Sequence, residues 1–201
     1  TVINDLINDT DADMVCWNRL YDPIAVQRDS GIKESLTNRG IKAISFAGSL
    51  IFEPWTVSTG SGGFYRVYTP FWNAVKEREA EAEYLPPKSI KTPVNWPFSD
   101  NITDWKMGKE MGRGERIVRP FVRLGQAEAI ERLAKFLDDD AVHYADRRNI
   151  PSVLGTSGLS ENLALGEISP KQCWHGGKKA LYEGVRGAEI FLKEIVWREF
   201  A

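Results

Sequence analysis

The chain has 201 residues, of which 42% are hydrophobic, and its 26 basic and 28 acidic side chains give a formal net charge of -2. This composition excludes a disordered chain and a protein that coats nucleic acid through a strongly basic surface. The sequence contains neither a long apolar run nor a signal-peptide pattern at residues 1–5, so we expect a cytoplasmic protein without a membrane partner.

Residues 1–57 predict the end of an α/β domain. An apolar run over 13–18 indicates a strand that contains Cys16, helical spacing follows over 23–39, and a second strand is predicted over 41–46. The order strand, helix, strand implies parallel pairing. Because two parallel strands alone make no stable buried sheet, we expect the chain to begin inside a domain.

Residues 58–122 predict a connection between domains with one helix. Thr69 is expected to cap that helix, with Pro70 at its first position, and the helix is expected to run through the charged residues 76–83. Prolines, glycines and a lack of periodicity then predict irregular structure over 86–120. The excess of basic side chains over 106–123 is typical of a solvated surface, although a local patch of this kind can also contact nucleic acid.

Residues 123–201 predict a helical domain. Helical spacing covers 125–137 and 182–200, and strand signals nearly vanish. Ser169 followed by Pro170 indicates a further helix start. No glycine, proline or capping residue follows Glu189, so the last helix is expected to continue past residue 201.

Metal chemistry finds little support in the sequence. Cys16 and Cys173 lack metal-site spacing and are expected to be reduced thiols. His143 and His175 have no accompanying ligand pattern, and the acidic run 138–140 lacks the spacing of a calcium loop. We therefore predict no metal site.

A loop over 155–160 (GTSGLS) combines glycines with hydroxyl side chains and precedes a predicted helix. Backbone N–H groups at a helix start bind phosphate, and Thr156, Ser157 and Ser160 could add hydroxyl donors. An ordinary helix cap would explain the same residues.

Three residues of the last predicted helix share one face, because Glu194, Trp197 and Arg198 are three and four positions apart. Such a trio suits bases turned out of a DNA helix: the indole stacks, the carboxylate binds base edges and the guanidinium neutralises charge. A plain ion pair beside a core tryptophan would have the same spacing.

Four segments, in order, resemble motifs of the DNA photolyase/cryptochrome family. They are 65–71 (YRVYTPF), 155–160 (GTSGLS), 166–172 (GEISPKQ) and 194–200 (EIVWREF). The chain resembles class I cyclobutane pyrimidine dimer photolyases in particular. This resemblance implies an α/β plus all-α fold: the end of a Rossmann-like, parallel-sheet antenna domain, a long linker, and the start of the helical FAD-binding domain.

The resemblance implies light-dependent repair of DNA that contains pyrimidine dimers, a lyase reaction in which reduced FAD passes an electron to the dimer. The alternatives are a cryptochrome-type flavin photoreceptor and an inactive partial gene product. The chain by itself is expected to be inactive, since family members have further flavin-binding helices. The intact protein is expected to be a monomer.

The resemblance also assigns roles to individual residues. Glu194 and Trp197 are the expected catalytic residues. Expected cofactor contacts are Tyr144, Thr156, Ser157, Gly158, Leu159, Ser160, Phe191 and Arg198. Expected DNA contacts are Arg148, Glu194, Trp197 and Arg198. Residues 22–26 lack the Asn-Glu pair with which folate-using relatives hold their antenna, so a folate antenna is disfavoured and the chromophore type stays open.

Overall fold

In the computed structural model, which describes residues 2–82, 84 and 86–201, the chain folds into two units. Residues 1–46 and 85–123 form the first unit, and residues 47–84 and 124–201 form the second. None of the helices in the described ranges has the length and apolar character needed to cross a membrane.

The first unit is built on a pair of parallel strands. Helix α1 (Val2–Thr10) precedes strand β1 (Met14–Asn18), helix α2 (Pro23–Asn38) and strand β2 (Lys42–Phe46). The strands pair in parallel from Met14 opposite Lys42 to Asn18 opposite Phe46. The predicted strand, helix, strand order is therefore confirmed, with Cys16 in β1, whereas α1 was not predicted.

Local signals explain both ends of α2. The Asp22 carboxylate accepts a hydrogen bond of 2.9 Å from the backbone N–H of Ala25, and Pro23 occupies the first turn. Beyond the helix, Gly40 adopts a φ of 75°, a left-handed conformation that glycine tolerates without strain. Residues at the two ends of α2 thus determine where the helix starts and where the chain turns toward β2.

Helix α3 spans Tyr68–Val75 and differs from its prediction at both ends. Val67 precedes it without a side-chain cap, so the predicted Thr69 cap is wrong: Thr69 already lies inside the helix. The predicted extension over 76–83 is also wrong for residues 76–82, which are not helical, while Glu83 lies outside the described residues. Since 76–82 contain no large apolar side chain, a longer helix would have nothing to bury.

Residues 86–123, which lie between the two parts of the second unit, contain an irregular stretch, short helical turns and one short helix. Residues 86–101 form neither helix nor strand, in agreement with the predicted irregular structure. Beyond them lie 3-10 turns at Ile102–Trp105, Lys109–Met111 and Arg119–Phe121, and helix α4 at Arg113–Val118.

The second unit is mainly helical, as predicted. Its helices after residue 124 are α5 (Gln126–Lys135), a π-helical turn (Phe136–Asp140), a 3-10 turn (Ala141–His143), α6 (Tyr144–Arg147), α7 (Ser160–Leu165), α8 (Pro170–Tyr182) and α9 (Ala188–Phe200). The helix predicted over 182–200 starts too early, because Tyr182 ends α8 and Gly184 turns the chain with a φ of 82°.

Helix α8 begins with the predicted signal. Ser169 accepts a hydrogen bond from the backbone N–H of Gln172, and the Gln172 side chain accepts one from the backbone N–H of Ser169. This reciprocal capping box satisfies two backbone donors that the helix itself leaves unpaired. It fixes where α8 starts.

Helices α8 and α9 pack closely in the core of the second unit. The most deeply buried large side chains of this core include Leu159, Ile168, Trp174, Phe191, Leu192 and Val196. A Cβ added at Gly177 in α8 would lie 2.6 Å from Cδ2 of Leu192. The absence of a side chain at Gly177 therefore allows α9 to approach, and α9 carries Glu194, Trp197 and Arg198 of the candidate site.

Candidate functional site

The exposed side of α9 brings together two predicted site residues from distant parts of the sequence. The Glu194 carboxylate accepts a hydrogen bond of 2.5 Å from the Arg148 guanidinium. Arg148 directly follows α6, and its guanidinium lies 5.7 Å from the ring centroid of Tyr144. Tyr144, Arg148 and Glu194 thus form one polar cluster at the edge of the apolar core.

The charges in this cluster stabilise one another. The hydrogen bond to Glu194 raises the pKa of Arg148, so the guanidinium stays charged. Burial raises the pKa of the Tyr144 phenol, an effect that Arg148 opposes and Glu194 reinforces. A neutral phenol therefore lies beside the Arg148–Glu194 ion pair, which is partly open to solvent, with side-chain exposures of 27% for Arg148 and 35% for Glu194.

Trp197 lies on the same helix, one turn after Glu194, and is 42% exposed. Its indole stacks on the ring of Tyr68, with centroids 3.8 Å apart and an interplanar angle of 7°. Trp197 is therefore neither a core residue nor a free surface side chain. Tyr68 lies in the motif-like segment 65–71 but was not predicted as a site residue, because neither the motif nor the local pattern showed that its ring would meet Trp197.

Arg198 is exposed and does not pair with Glu194, which binds Arg148 instead. The alternative of a plain Glu194–Arg198 ion pair is therefore wrong. An arginine one turn away on the same helix competes for a glutamate with arginines from other elements. Here Arg148, which follows α6, is the one that binds Glu194. Whether Arg198 contacts cofactor or DNA stays a prediction.

The loop over 155–160 contains hydroxyl groups that no described residue binds. Thr156 and Ser160 are exposed and Ser157 is half-buried, and none of their side chains makes a hydrogen bond within the described residues. Helix α7 begins at Ser160 as predicted, but no side chain caps it. The alternative explanation of these residues as an ordinary helix cap is therefore wrong.

Close packing places this loop beside the polar cluster. A Cβ added at the buried Gly155 would lie 2.6 Å from Cβ of Arg147, the residue before Arg148. Gly158 has a φ of 62°, and Leu159 is completely buried. Two glycines and one core side chain thus fix a loop whose hydroxyl residues lie nearer the surface.

Arg132 holds the end of the loop, and sequence reasoning missed it. Its guanidinium donates hydrogen bonds to the carbonyl oxygen of Gly158, to the Glu161 carboxylate at 2.9 Å and to the Asn162 side-chain oxygen at 3.1 Å. The Asn162 amide in turn donates to Glu167 at 2.7 Å. An isolated arginine in α5 carries no sequence signal for this role, since its partners are far along the chain.

Phe191 occupies the core beneath the cluster. It is 2% exposed, and its ring centroid lies 5.0 Å from that of Phe136 and 6.2 Å from that of Tyr144. In this structure it supports Tyr144 from below. A direct contact of Phe191 with a cofactor stays a prediction.

The described residues contain no group of three or more side chains suited to hold a metal ion. Cys16 is exposed and Cys173 is buried, and the two form no disulfide with each other.

Comparison with known proteins relates this site to one family. Residues 1–91 match the family model described as DNA photolyase. A deoxyribodipyrimidine photo-lyase of Agrobacterium fabrum is 40% identical over 99% of this chain, which covers 42% of that protein. Cryptochrome-2 of Arabidopsis thaliana is 30% identical over the whole chain, which covers 35% of that protein.

Solved structures agree with this relation. A bacterial class III photolyase from Agrobacterium tumefaciens superimposes with a TM-score of 0.91 at 40% identity, over 99% of this chain and 42% of its own. A Synechocystis cryptochrome, at 18% identity and a TM-score of 0.77 over 99% of this chain and 42% of its own, shares the fold. The predicted α/β plus helical fold is confirmed. The predicted class I likeness is not, because the solved photolyase with 40% identity is a class III enzyme. The chain spans less than half the length of these relatives, and over nearly its whole length it is similar to DNA photolyases and cryptochromes.

Proposed function

We propose that the protein containing this chain repairs cyclobutane pyrimidine dimers in DNA in a light-dependent lyase reaction with reduced FAD. The observation that carries this proposal is the grouping of Arg148 and Glu194 beside the exposed Trp197 on α9. The 40% identity to a protein named deoxyribodipyrimidine photo-lyase supports it.

The residues present fit an FAD cofactor. Thr156, Ser157 and Ser160 offer hydroxyl groups without partners among the described residues, and the backbone of Gly158 and Leu159 completes a loop suited to phosphate groups. When bound, FAD would supply the electron that opens the dimer. Tyr144 and Arg198 would lie toward the cofactor, with Phe191 behind Tyr144.

The side chains of α9 would recognise the lesion. Two bases turned out of the duplex need a stacking surface and acceptors for their edge N–H groups. Trp197 provides the surface, and the Glu194 carboxylate, which pairs with Arg148, provides the acceptor. Arg148 and Arg198 would balance the negative charge of the DNA backbone.

We further propose a class III photolyase rather than a class I enzyme. The support is the TM-score of 0.91 with a class III photolyase that shares 40% of its sequence. The motifs at 155–172 and 194–200 concern cofactor and lesion surfaces, which are common to the family, so they could not separate its classes.

A cryptochrome-type photoreceptor is the second candidate, favoured by the 30% identity to Cryptochrome-2 of Arabidopsis thaliana. Such a protein would need the flavin loop but no surface for a dimer. The exposed Trp197 beside Glu194 favours repair.

One experiment separates these functions. The full-length protein is loaded with FAD, reduced and illuminated with blue light, and the recovery of thymine absorbance is followed in an oligonucleotide with one thymine dimer. Recovery in the light but not in the dark supports repair. Bound flavin without recovery supports a photoreceptor, and a full-length protein without flavin contradicts both.

A further inference from the structure

Tyr68, the first residue of α3, is held against α9 at two points. Its ring stacks on Trp197 at 3.8 Å, and its hydroxyl donates a hydrogen bond of 2.6 Å to the carbonyl oxygen of Lys193. In an α-helix that carbonyl also accepts the N–H of the residue four positions later, which is Trp197. One side chain therefore binds both the backbone and the side chain of a single helical turn.

Phe200 supports the same pair from another direction. Its ring meets Trp197 edge-on at 5.5 Å and 80°, and Tyr68 at 5.7 Å and 77°. Trp197 nevertheless stays 42% exposed. Tyr68 and Phe200 thus fix the plane of an indole that still presents surface to solvent.

The hydroxyl of Tyr68 is a permanent donor. Burial, helped by the negative charge of Glu194, raises the pKa of the Tyr68 phenol to about 12. The phenol therefore keeps its proton, and with it the hydrogen bond to Lys193, throughout the physiological pH range. No titration near neutral pH releases the ring from the helix.

We infer that Tyr68 is a positioning residue for Trp197, which fixes the indole plane and thereby contributes to selectivity for dimer-containing over undamaged DNA. The inference rests on the proposed function. An unsupported indole would lose rotational freedom when the two extruded bases stack on it, whereas a fixed indole has already lost that freedom on folding. Tyr68 itself would not contact the lesion.

The test measures binding in the dark, so that no chemistry enters. Affinities of the flavin-loaded full-length protein are measured by fluorescence anisotropy for an oligonucleotide with one thymine dimer and for the same sequence undamaged. Tyr68→Leu, which removes ring and hydroxyl, is expected to lower the ratio of the two affinities roughly 2- to 10-fold, the range that a stacked aromatic pair contributes. Tyr68→Phe, which keeps the ring, is expected to lower the ratio by about 2-fold.

Tyr65→Leu is the matched control. Tyr65 is a half-buried tyrosine from the same segment, and its ring contacts Phe71 at 5.9 Å instead of stacking on Trp197. Its replacement is expected to leave the ratio unchanged. Flavin content is measured for every variant, since a general loss of folding would lower both affinities and the flavin content together.

The outcomes distinguish this inference from the proposed function. A wild-type protein without preference for the dimer refutes the proposed function, and the inference with it. A wild-type preference that survives Tyr68→Leu overturns the inference alone. An increased ratio overturns it too, because the phenol would then compete with the bases for the indole. Should Tyr68→Leu lose its flavin, Tyr68→Phe decides: a lowered ratio supports the inference and an unchanged ratio overturns it.

Discussion

At the scale of single residues, Glu199 has a carboxyl group that is partly buried in the protein. It accepts hydrogen bonds from the backbone N–H groups of Ile51 and Phe52. Burial raises its pKa to about 7, although these two hydrogen bonds and the charges of Arg198 and Lys171 act in the opposite direction. The folded state therefore holds this proton more tightly than the unfolded state, where the pKa is 4.5.

The sign of the pH dependence follows from this difference. The contribution of the protonated Glu199 to stability is fully present below pH 4.5 and is lost as the pH rises through about 7. Relative to Glu199→Gln, we expect the wild type to lose roughly 1–3 kcal/mol of unfolding free energy between about pH 5 and pH 8. The thermal midpoints of both proteins at the two pH values measure this loss.

Glu189→Gln provides the control for that measurement. Glu189 lies on the same helix, and its side chain is 50% exposed beside Lys193. This variant is expected to show the same pH dependence as the wild type. Parallel pH profiles for the wild type and Glu199→Gln would show that the proton on Glu199 does not affect stability.

An experiment can separate a role of Glu194 in repair from a role in holding the fold. It lies on the partly exposed side of α9 and binds Arg148, outside the apolar core. We expect Glu194→Ala in the full-length protein to lower the repair yield by about 10-fold, the effect of one lost charged hydrogen bond, with flavin content unchanged. Glu189→Ala should leave both quantities as they are. Loss of flavin in Glu194→Ala would instead give this side chain a structural role.

At the scale of elements, the position of α9 depends on a glycine. Gly187 immediately precedes α9, and an added Cβ would lie 1.9 Å from the carbonyl oxygen of Ala141 and 2.9 Å from Cβ of Tyr144. This close approach brings the start of α9 against the turn that leads into α6. The meeting of Glu194 with Arg148 therefore depends on the absence of a side chain at Gly187.

Two glycine substitutions test this packing. Gly187→Ala is expected to destabilise the fold by about 1–3 kcal/mol, because backbone atoms must move to admit the methyl group. Gly31→Ala lies in the interior of α2 with no atom within 4 Å of the new Cβ, and is expected to stabilise by roughly 0.5–1 kcal/mol. Thermal unfolding of both variants gives the comparison. Equal shifts of the thermal midpoint in the same direction would show that the close contact with Ala141 does not affect stability.

At the scale of the whole molecule, the segment 86–101 separates stretches of chain that belong to different units. It contains neither helix nor strand and is largely exposed. The predicted boundaries at 57 and 122 remain predictions. The structure groups residues 47–84 with the helical unit rather than with the connection.

Limited proteolysis reports on this segment. Lys88 and Lys91 are exposed there, whereas Lys171 is 8% exposed, lies inside α8 and binds Glu81 at 2.6 Å. We expect trypsin to cleave at Lys88 or Lys91 well before it cleaves at Lys171, because an irregular exposed segment fits a protease without unfolding. Mass spectrometry of early fragments identifies the order, and early cleavage at Lys171 would contradict this account.

The sequence by itself determined the features that neighbouring residues control. Asp22 and Pro23 start α2, Gly40 ends it, and Ser169 with Gln172 starts α8, because helix caps act over three or four positions. The strand order and the identities of Glu194 and Trp197 as candidates were also available from local patterns and family motifs.

Only the tertiary structure decided which residues meet. Arg148 rather than Arg198 binds Glu194, Tyr68 stacks on Trp197, and Arg132 holds the loop at Gly158. These contacts join residues that are far apart in the chain, and their geometry depends on how closely α9 packs on its neighbours. Periodicity shows which face of a helix is apolar, but it does not show which distant side chain the fold brings to the opposite face.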